Sequence, residues 1–402
     1  MQERQRFSSL YFRDFRVFWF TQLISLSGTW MHSAAQGWLV YLITKSPLYL
    51  GIIATLSSLP ILLFTLIGGM VADRYPKRNI LIATQFLSII PAIGIAVLID
   101  KNMITIWHIG FFAFFLGLIN AFDVPARHAF IAEMVERADI TNAVALNSVA
   151  FNGARIIGPL IAGVIITFAG LQACFYINAV SFIPVIIALF TIKSKGMMRV
   201  QQEGFLSDLI AAWGFIAKEK PIFYIMVLIA IFSLFGIPYL TLLPVVAGKV
   251  FNIGADGFSI LLACAGAGSL SAAAIIAYKG EIEQKSTFLM ISGFAFPFAL
   301  LGLSLSSDFI LSSALIIMAG WGITSFLATA NSFIQNSVPD SLRGRVMSFY
   351  TLVFLGFLPL GNSIVGIAAD SFGTMTAIKI FSSFSLICSI LFALKLRSHE
   401  RK

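Results

Sequence analysis

The 402-residue sequence has little charge: 11% of its residues are Asp, Glu, Lys or Arg, against about a quarter in soluble domains. That scarcity excludes a water-soluble globular protein. Three cysteines, Cys174, Cys264 and Cys388, lie far apart with no CxxC or metal spacing, so no disulfide framework is implied and they read as small packing residues. Four histidines, His32, His108, His128 and His399, are too scattered for a metal cluster. No GxxxxGK[ST], HExxH or GxSxG occurs, and the apolar runs hold neither a nucleophile with its base nor facing aspartates. ATP-driven work within this chain and hydrolase chemistry are thereby excluded. Acidic residues are the minority, 18 against 27 basic, giving a net charge of +9. The basic residues fall in short segments between apolar runs rather than in a patch, so they read as topology determinants and nucleic acid is dismissed as a partner.

What fills the chain is hydrophobic sequence, 58% of it. A run of about 18 charge-free residues crosses a hydrocarbon layer about 30 Å thick. Such windows occur near 17–44, 47–72, 79–99, 103–122, 221–247, 257–278, 286–307, 310–336, 346–369 and 374–394. Two more lie in 142–192, broken by Gly170 and Gln172. Arg4, Arg6, Arg13 and Arg16 precede the first run as in a signal peptide, yet the run is too long for an h-region and is expected to be a retained span. The pattern predicts an all-α membrane protein of twelve spans. Closed β-barrels, the other way across lipid, show ten-residue alternation instead.

With the N-terminus inside, only Lys45, Lys101 and Lys249 fall in the opposite loops, and Arg155 and Lys379 lie within spans. The positive-inside bias therefore places both termini in the cytoplasm. The longest interior loop divides the chain into segments 1–192, 193–220 and 221–402, a linker between two six-helix halves. In that linker Phe205, Leu206, Leu209, Ile210, Trp213 and Ile216 recur at helical spacing. They fit an amphipathic helix on the membrane surface, or equally a linker helix packed on the bundle.

The halves repeat. Gly153, Gly158, Gly163 and Gly170 map onto Gly356, Gly361, Gly366 and Gly373 at a constant offset of 203 residues. Gly117 and Gly320, Phe130 and Phe333, and Phe151 and Phe354 join them at that offset. Such duplication is the mark of secondary transporters whose halves rock about a midplane site.

Between the second and third runs stands Gly69-Met-Val-Ala-Asp73-Arg74-Tyr-Pro-Lys77-Arg78. It resembles the GxxxDRxxxR/K loop motif of the major facilitator superfamily, with Pro76 where the family often has Gly. The segments Asn120-Ala-Phe-Asp123-Val-Pro125-Ala-Arg127, Asn152-Gly-Ala-Arg155-Ile-Ile-Gly158-Pro159, Arg343-Gly-Arg345 and Leu358-Pro-Leu-Gly361 are similar to the branch that holds enterobactin exporters and macrolide efflux proteins. The resemblance covers essentially the whole chain. It implies a multi-pass protein of the bacterial inner membrane that exports a small amphipathic molecule, a siderophore or drug, by alternating access. It also implies no cofactor beyond a proton gradient, and a monomer whose partners are its small-molecule substrate and the bilayer. An importer of a metal chelate or other small solute, or a passive channel, stands as the alternative. The loop motif is expected to act as a cytoplasmic latch centred on Asp73, near Gly344 and Arg345.

Several polar residues stand in the spans. Gln22, Ser25, Thr29, His32 and Gln36 make one stripe on the first helix that lipid would expel, so it must face protein or a water-filled cavity. In the superfamily this helix lines the central cavity. His32 could couple a proton to transport, or be a neutral histidine bonded to a neighbouring helix. Arg155 is too deep to reach an interface easily. It either meets an anionic substrate or is held structurally by groups such as Asn152, Asn120 or Asn147. Asp123 is either a proton carrier or, with Arg127 on the same face and Arg74 or Arg78 expected nearby, a gate ion pair that holds its charge. Gly158-Pro159 followed by Gly163 resembles the antiporter GPxxxGG motif, with Val164 in place of the last glycine, and suits an element that bends. In the second half Thr324, Asn331 and Gln335 share one side of a helix, Tyr239 sits between Pro238 and Pro244, and Asn362 stands alone. The cavity is expected to be neutral to slightly positive and rich in Phe, suited to aromatic or anionic amphipaths.

Overall fold

The computed structural model describes residues 8–192, 205–279 and 284–400, all of whose regular structure is helical. In lipid every backbone N–H and C=O must be bonded within the segment, which is why these apolar runs become helices and keep internal prolines such as Pro60, Pro91, Pro159 and Pro359. The α-helices are α1 (Arg13–Thr44), α2 (Pro47–Arg74), α3 (Lys77–Asp100), α4 (Ile106–Glu133), α5 (Ile140–Ala169), α6 (Leu171–Thr191) and α7 (Phe205–Lys218). They continue as α8 (Lys220–Ile231), α9 (Tyr239–Val245), α10 (Ala255–Lys279), α11 (Lys285–Leu305), α12 (Phe309–Ser337), α13 (Asp340–Phe372) and α14 (Thr374–Glu400). Among the described residues eleven segments are long and apolar enough to cross a membrane. The 32-residue α1 is not one of the eleven, interrupted as it is by Gln22, Ser25, Thr29, His32 and Gln36.

One of the eleven, Lys220–Val250, is not a continuous α-helix. Two π-helical turns, Phe232–Gly236 and Val246–Val250, flank α9, with Pro238 before it and Pro244 inside it. Such turns mark places where a helix bends or serves a site.

The chain separates into two compact units, Met1–Thr44 with Leu56–Gln202, and Lys45–Thr55 with Glu203–Lys402. In the first, α1 packs on α5 and α6, and α3 packs on α4 and α6. In the second, α13 and α14 pack on α8, and α11 packs on α12 and α14. The order of these partners is the same in each unit. Repeated glycines sit at equivalent close crossings in the two units. A Cβ on Gly117 would collide with the carbonyl of Ser57 in α2, and one on its counterpart Gly320 with the carbonyl of Ala265 in α10. Gly158 abuts Ser27, Trp30 and Met31 of α1, and Gly361 abuts Ser233 and Leu234 after α8. Close approach without a side chain is how helices associate in lipid, where no hydrophobic force separates protein from solvent.

The α7 segment packs on α13 within the second unit. Trp213 lies 5.8 Å from the Phe349 ring and 6.2 Å from that of Phe223, and Ala212 and Ile216 are buried.

Candidate functional site

Three polar clusters are built into the spans of the first unit. One joins α1, α3 and α4. Asp123, 2% exposed, receives the hydroxyl of Thr84 at 2.8 Å and the amide of Gln85 at 3.0 Å, and pairs with Arg127 one turn on in its own helix. Gln85 in turn accepts from Ser25 at 3.5 Å. A carboxylate in a span costs about 2.5–3.5 kcal/mol to insert, and these donors are what offsets that cost. The α4 sequence sets Asp123 and Arg127 at i and i+4, so the helix itself brings them together. The expected neighbour Arg78 is elsewhere: its guanidinium caps the end of α6, bonding Leu189 O at 2.6 Å and Phe190 O at 3.2 Å.

The second cluster surrounds His32 between α1 and α6. Asn178 Nδ2 stands 3.2 Å from His32 Nδ1, and Gln36 Oε1 stands 3.3 Å from Nε2. Ser181 Oγ is 3.3 Å from Asn178 Oδ1, which turns the amide nitrogen toward the ring. Both ring nitrogens thus have partners, as in a neutral imidazole protonated on Nε2. The ring edge meets Phe175 at 4.8 Å, and Gly28 admits Ser181 and Asn178 where any Cβ would overlap them. The polar stripe of α1 accordingly faces protein: Gln22, Ser25 and His32 are buried, while Thr29, whose hydroxyl bonds Ser25 O, and Gln36 are half-buried.

At the third cluster Arg155 lies 5.6 Å above the ring of Trp30, which also meets Phe151 edge-on at 5.5 Å. Asn152 donates to Ser148 O in its own helix. The stack sits beside the close crossing at Gly158, with Pro159 buried next to it.

The loop motif divides in two. Lys77 forms a buried salt bridge with Glu133 of α4 at 2.8 Å, and Arg78 holds α6, so both tie the first unit to itself. Asp73 is half-buried and Arg74 exposed at the end of α2. The motif glycine is not the close-packing one: a Cβ on Gly69 would meet nothing within 4 Å, whereas one on Gly68 would collide with the Ala121 carbonyl of α4. The helix's rotation, not the motif, decides which of two adjacent glycines faces a neighbour.

In the second unit Thr241 of the broken segment donates to Asn362 Oδ1 of α13 at 3.1 Å, and Tyr239 is buried against Phe296. Gln335 donates to Asn331 at 2.5 Å, and Arg343 Nε bonds Gln335 O at 3.0 Å, joining two expected pathway residues to an expected gate residue. Arg345 is exposed. Also within this unit, the first turns of α2 pack on α13, where Thr55 bonds Ser363 at 2.8 Å and Ser46 bonds Asp370 at 2.7 Å. Thr84, Gln85, Glu133, Asn178 and Ser181 join the site only in the structure; the lone Asn in the apolar run of α6 and the Thr-Gln pair in α3 are the sequence signals that mark three of them.

Apolar helices that bury ion pairs and amide networks define a protein built for lipid, and the family it belongs to is one of membrane transporters. The chain belongs to the transmembrane secretion effector family of the major facilitator superfamily, whose family model matches residues 5–402. It is 27% identical over 390 residues to the Staphyloferrin A transporter of Staphylococcus aureus, covering 94% of this chain and 95% of that protein. It is 25% identical over 370 residues to the Multidrug efflux pump Tap of Mycolicibacterium fortuitum, covering 88% of each. A mutant of the nucleoside transporter NupG shares the fold with a TM-score of 0.76 at 12% identity, over 95% of this chain and 98% of that one.

Proposed function

We propose that this protein is a secondary active exporter of a small amphipathic molecule, of the siderophore or drug class, in the bacterial inner membrane. In this reading α1 is the twelfth span, two six-helix bundles enclose a polar hollow that opens to one face at a time, and both termini are cytoplasmic. The observation that carries it is the repeat: Gly117 and Gly320, and Gly158 and Gly361, serve the same helix crossings in the two units, as duplicated transporters require. The full-length relatives named for a staphyloferrin and for multidrug efflux support the cargo class.

The proton gradient drives the cycle, and His32 is the coupling residue. Its neutral ring lies between two amides, so rotation of Asn178 presents an acceptor to a newly protonated Nδ1. Thr29, Gln36, Asn152, Arg155, Tyr239, Asn331, Gln335 and Asn362 supply the polar groups of the pathway. Asp73, with Arg74, Arg343 and Arg345, forms the cytoplasmic latch, and Lys77 and Arg78 hold α3 to α4 and α6 behind it. The protein works as a monomer and needs no bound cofactor.

The test is transport of candidate siderophores and hydrophobic drugs in everted vesicles, with and without a pH gradient. Saturable, gradient-dependent accumulation is expected. Flux that does not saturate would mean a channel, and movement only in the opposite direction would mean an importer. For the latch, Asp73→Asn should shift the reactivity of engineered cysteines on the two membrane faces in opposite directions; unchanged reactivity on both removes that assignment.

A further inference from the structure

A groove between α8 and α14 plays no part in the pathway just described. It encloses a cavity of about 220 Å³. Tyr224, Val227 and Ile231 line it from α8, and Cys388, Leu391 and Lys395 from α14. These positions recur every three or four residues on each helix, so they form two facing ridges with the small Cys388 leaving the space between them. Val227 and Leu391 are 41% and 52% exposed although both lie inside membrane-spanning segments, so the groove opens toward lipid.

Its polar end is distinct from the rest. Lys395 Nζ sits 5.1 Å above the Tyr224 ring. The helices run antiparallel, so Lys220, which opens α8, and Arg397, near the end of α14, stand at this same end, and both are exposed. Half-exposed Trp213 of α7 packs on Phe223 close by. Trp and Tyr beside Lys and Arg mark the level of lipid headgroups. From Tyr224 to Ile231 the apolar wall extends about 10 Å toward the membrane interior.

We propose that this groove binds one anionic phospholipid of the cytoplasmic leaflet, its phosphate at Lys395 and one acyl chain along Val227, Ile231 and Leu391. Charge complementarity selects the occupant: a basic rim above an apolar slot fits a molecule that is anionic at one end and hydrocarbon at the other, and basic pockets between spans on the cytoplasmic side hold such headgroups. A zwitterionic lipid offers the same phosphate but brings a cation beside Lys395, Lys220 and Arg397, which repel it. The proposal rests on the orientation with cytoplasmic termini, and its test reads binding rather than transport, so it can fail while the exporter reading stands.

The full-length protein, purified in detergent, would be titrated with phosphatidylglycerol or phosphatidylcholine of equal chain length, and bound lipid counted by native mass spectrometry. Phosphatidylglycerol should bind at least about fivefold more tightly, the factor expected of one lysine at a membrane surface. Lys395→Gln should remove the preference and Lys395→Arg keep it. Leu391→Trp, which fills the slot from an exposed position, should weaken both lipids. Equal binding of the two lipids by the unmodified protein, or a preference that survives Lys395→Gln, overturns the proposal. So does displacement of phosphatidylglycerol by millimolar inorganic phosphate, which would mean an anion site with no need of the acyl chain.

Discussion

Gly170 and Gly373 leave α5 and α13 with the same left-handed backbone, φ +84° and +88°, at the junctions with α6 and α14. With ψ of 166° and 147° these are conformations open essentially to glycine alone, so Ala at either position should lower stability by about 1–3 kcal/mol. Gly153→Ala is the control, because it lies within α5 with nothing within 4 Å of an added Cβ and should be neutral or slightly stabilising. Thermal unfolding of the purified protein in detergent distinguishes them. Equal midpoints for all three variants would show that the junctions relax freely.

The crossings at Gly158 and Gly361 meet neighbouring backbone and not flexible side-chain ends. Leu at either position should separate the helices and cost about 1–3 kcal/mol, as overpacking does. The paired sites should respond alike, and turnover should fall with each. A variant that transports normally at one site and not at its counterpart would argue that the repeat no longer governs movement.

Removing one member of the Asp123–Arg127 pair strands the other inside a span. Arg127→Leu should therefore cost about 3–5 kcal/mol, the range for breaking a buried pair. Asp123→Asn together with Arg127→Leu should recover a substantial part, since no uncompensated charge is left. Melting temperatures of the two variants measure this, and a double variant no better than the single one would assign the loss to packing.

His32→Gln keeps an amide donor and acceptor between Gln36 and Asn178 but cannot be protonated. If efflux is proton-coupled through His32, folding should be retained while pH-gradient-driven efflux in everted vesicles falls at least about a hundredfold, the lower end of what positioned proton transfer contributes. Full gradient-driven efflux by this variant would leave His32 a structural residue. His32→Leu, by contrast, should cost about 1–3 kcal/mol by orphaning the Asn178 amide.

The spans and the duplication were legible because hydrophobic run length and glycine spacing are local properties of the chain. Which face of each helix turns inward is not local. His32 meets Asn178, and Lys77 meets Glu133, only through the rotation and crossing of separate helices. The same cause moves the close approach from Gly69 to Gly68, one residue but about 100° around the helix. Arg78 shows another limit: positive loop residues read as topology signals, yet this one stitches α3 to the last carbonyls of α6. The π-helical turns around α9 carry a hint in Pro238 and Pro244, but proline also sits inside α2, α3 and α5 without such turns.

Asp123 and Arg127 ride on a single helix, so sliding or tilting α4 past its neighbours moves the two ends of that dipole together and never pulls them apart. Only the uncharged donors of α3, Thr84 and Gln85, can be shed or regained as helices shift. Any rearrangement here would leave the ion pair intact and trade only those two hydrogen bonds, which are charge-assisted and worth about 1.5–3 kcal/mol each, so the energy of moving α4 against α3 is set at Thr84 and Gln85.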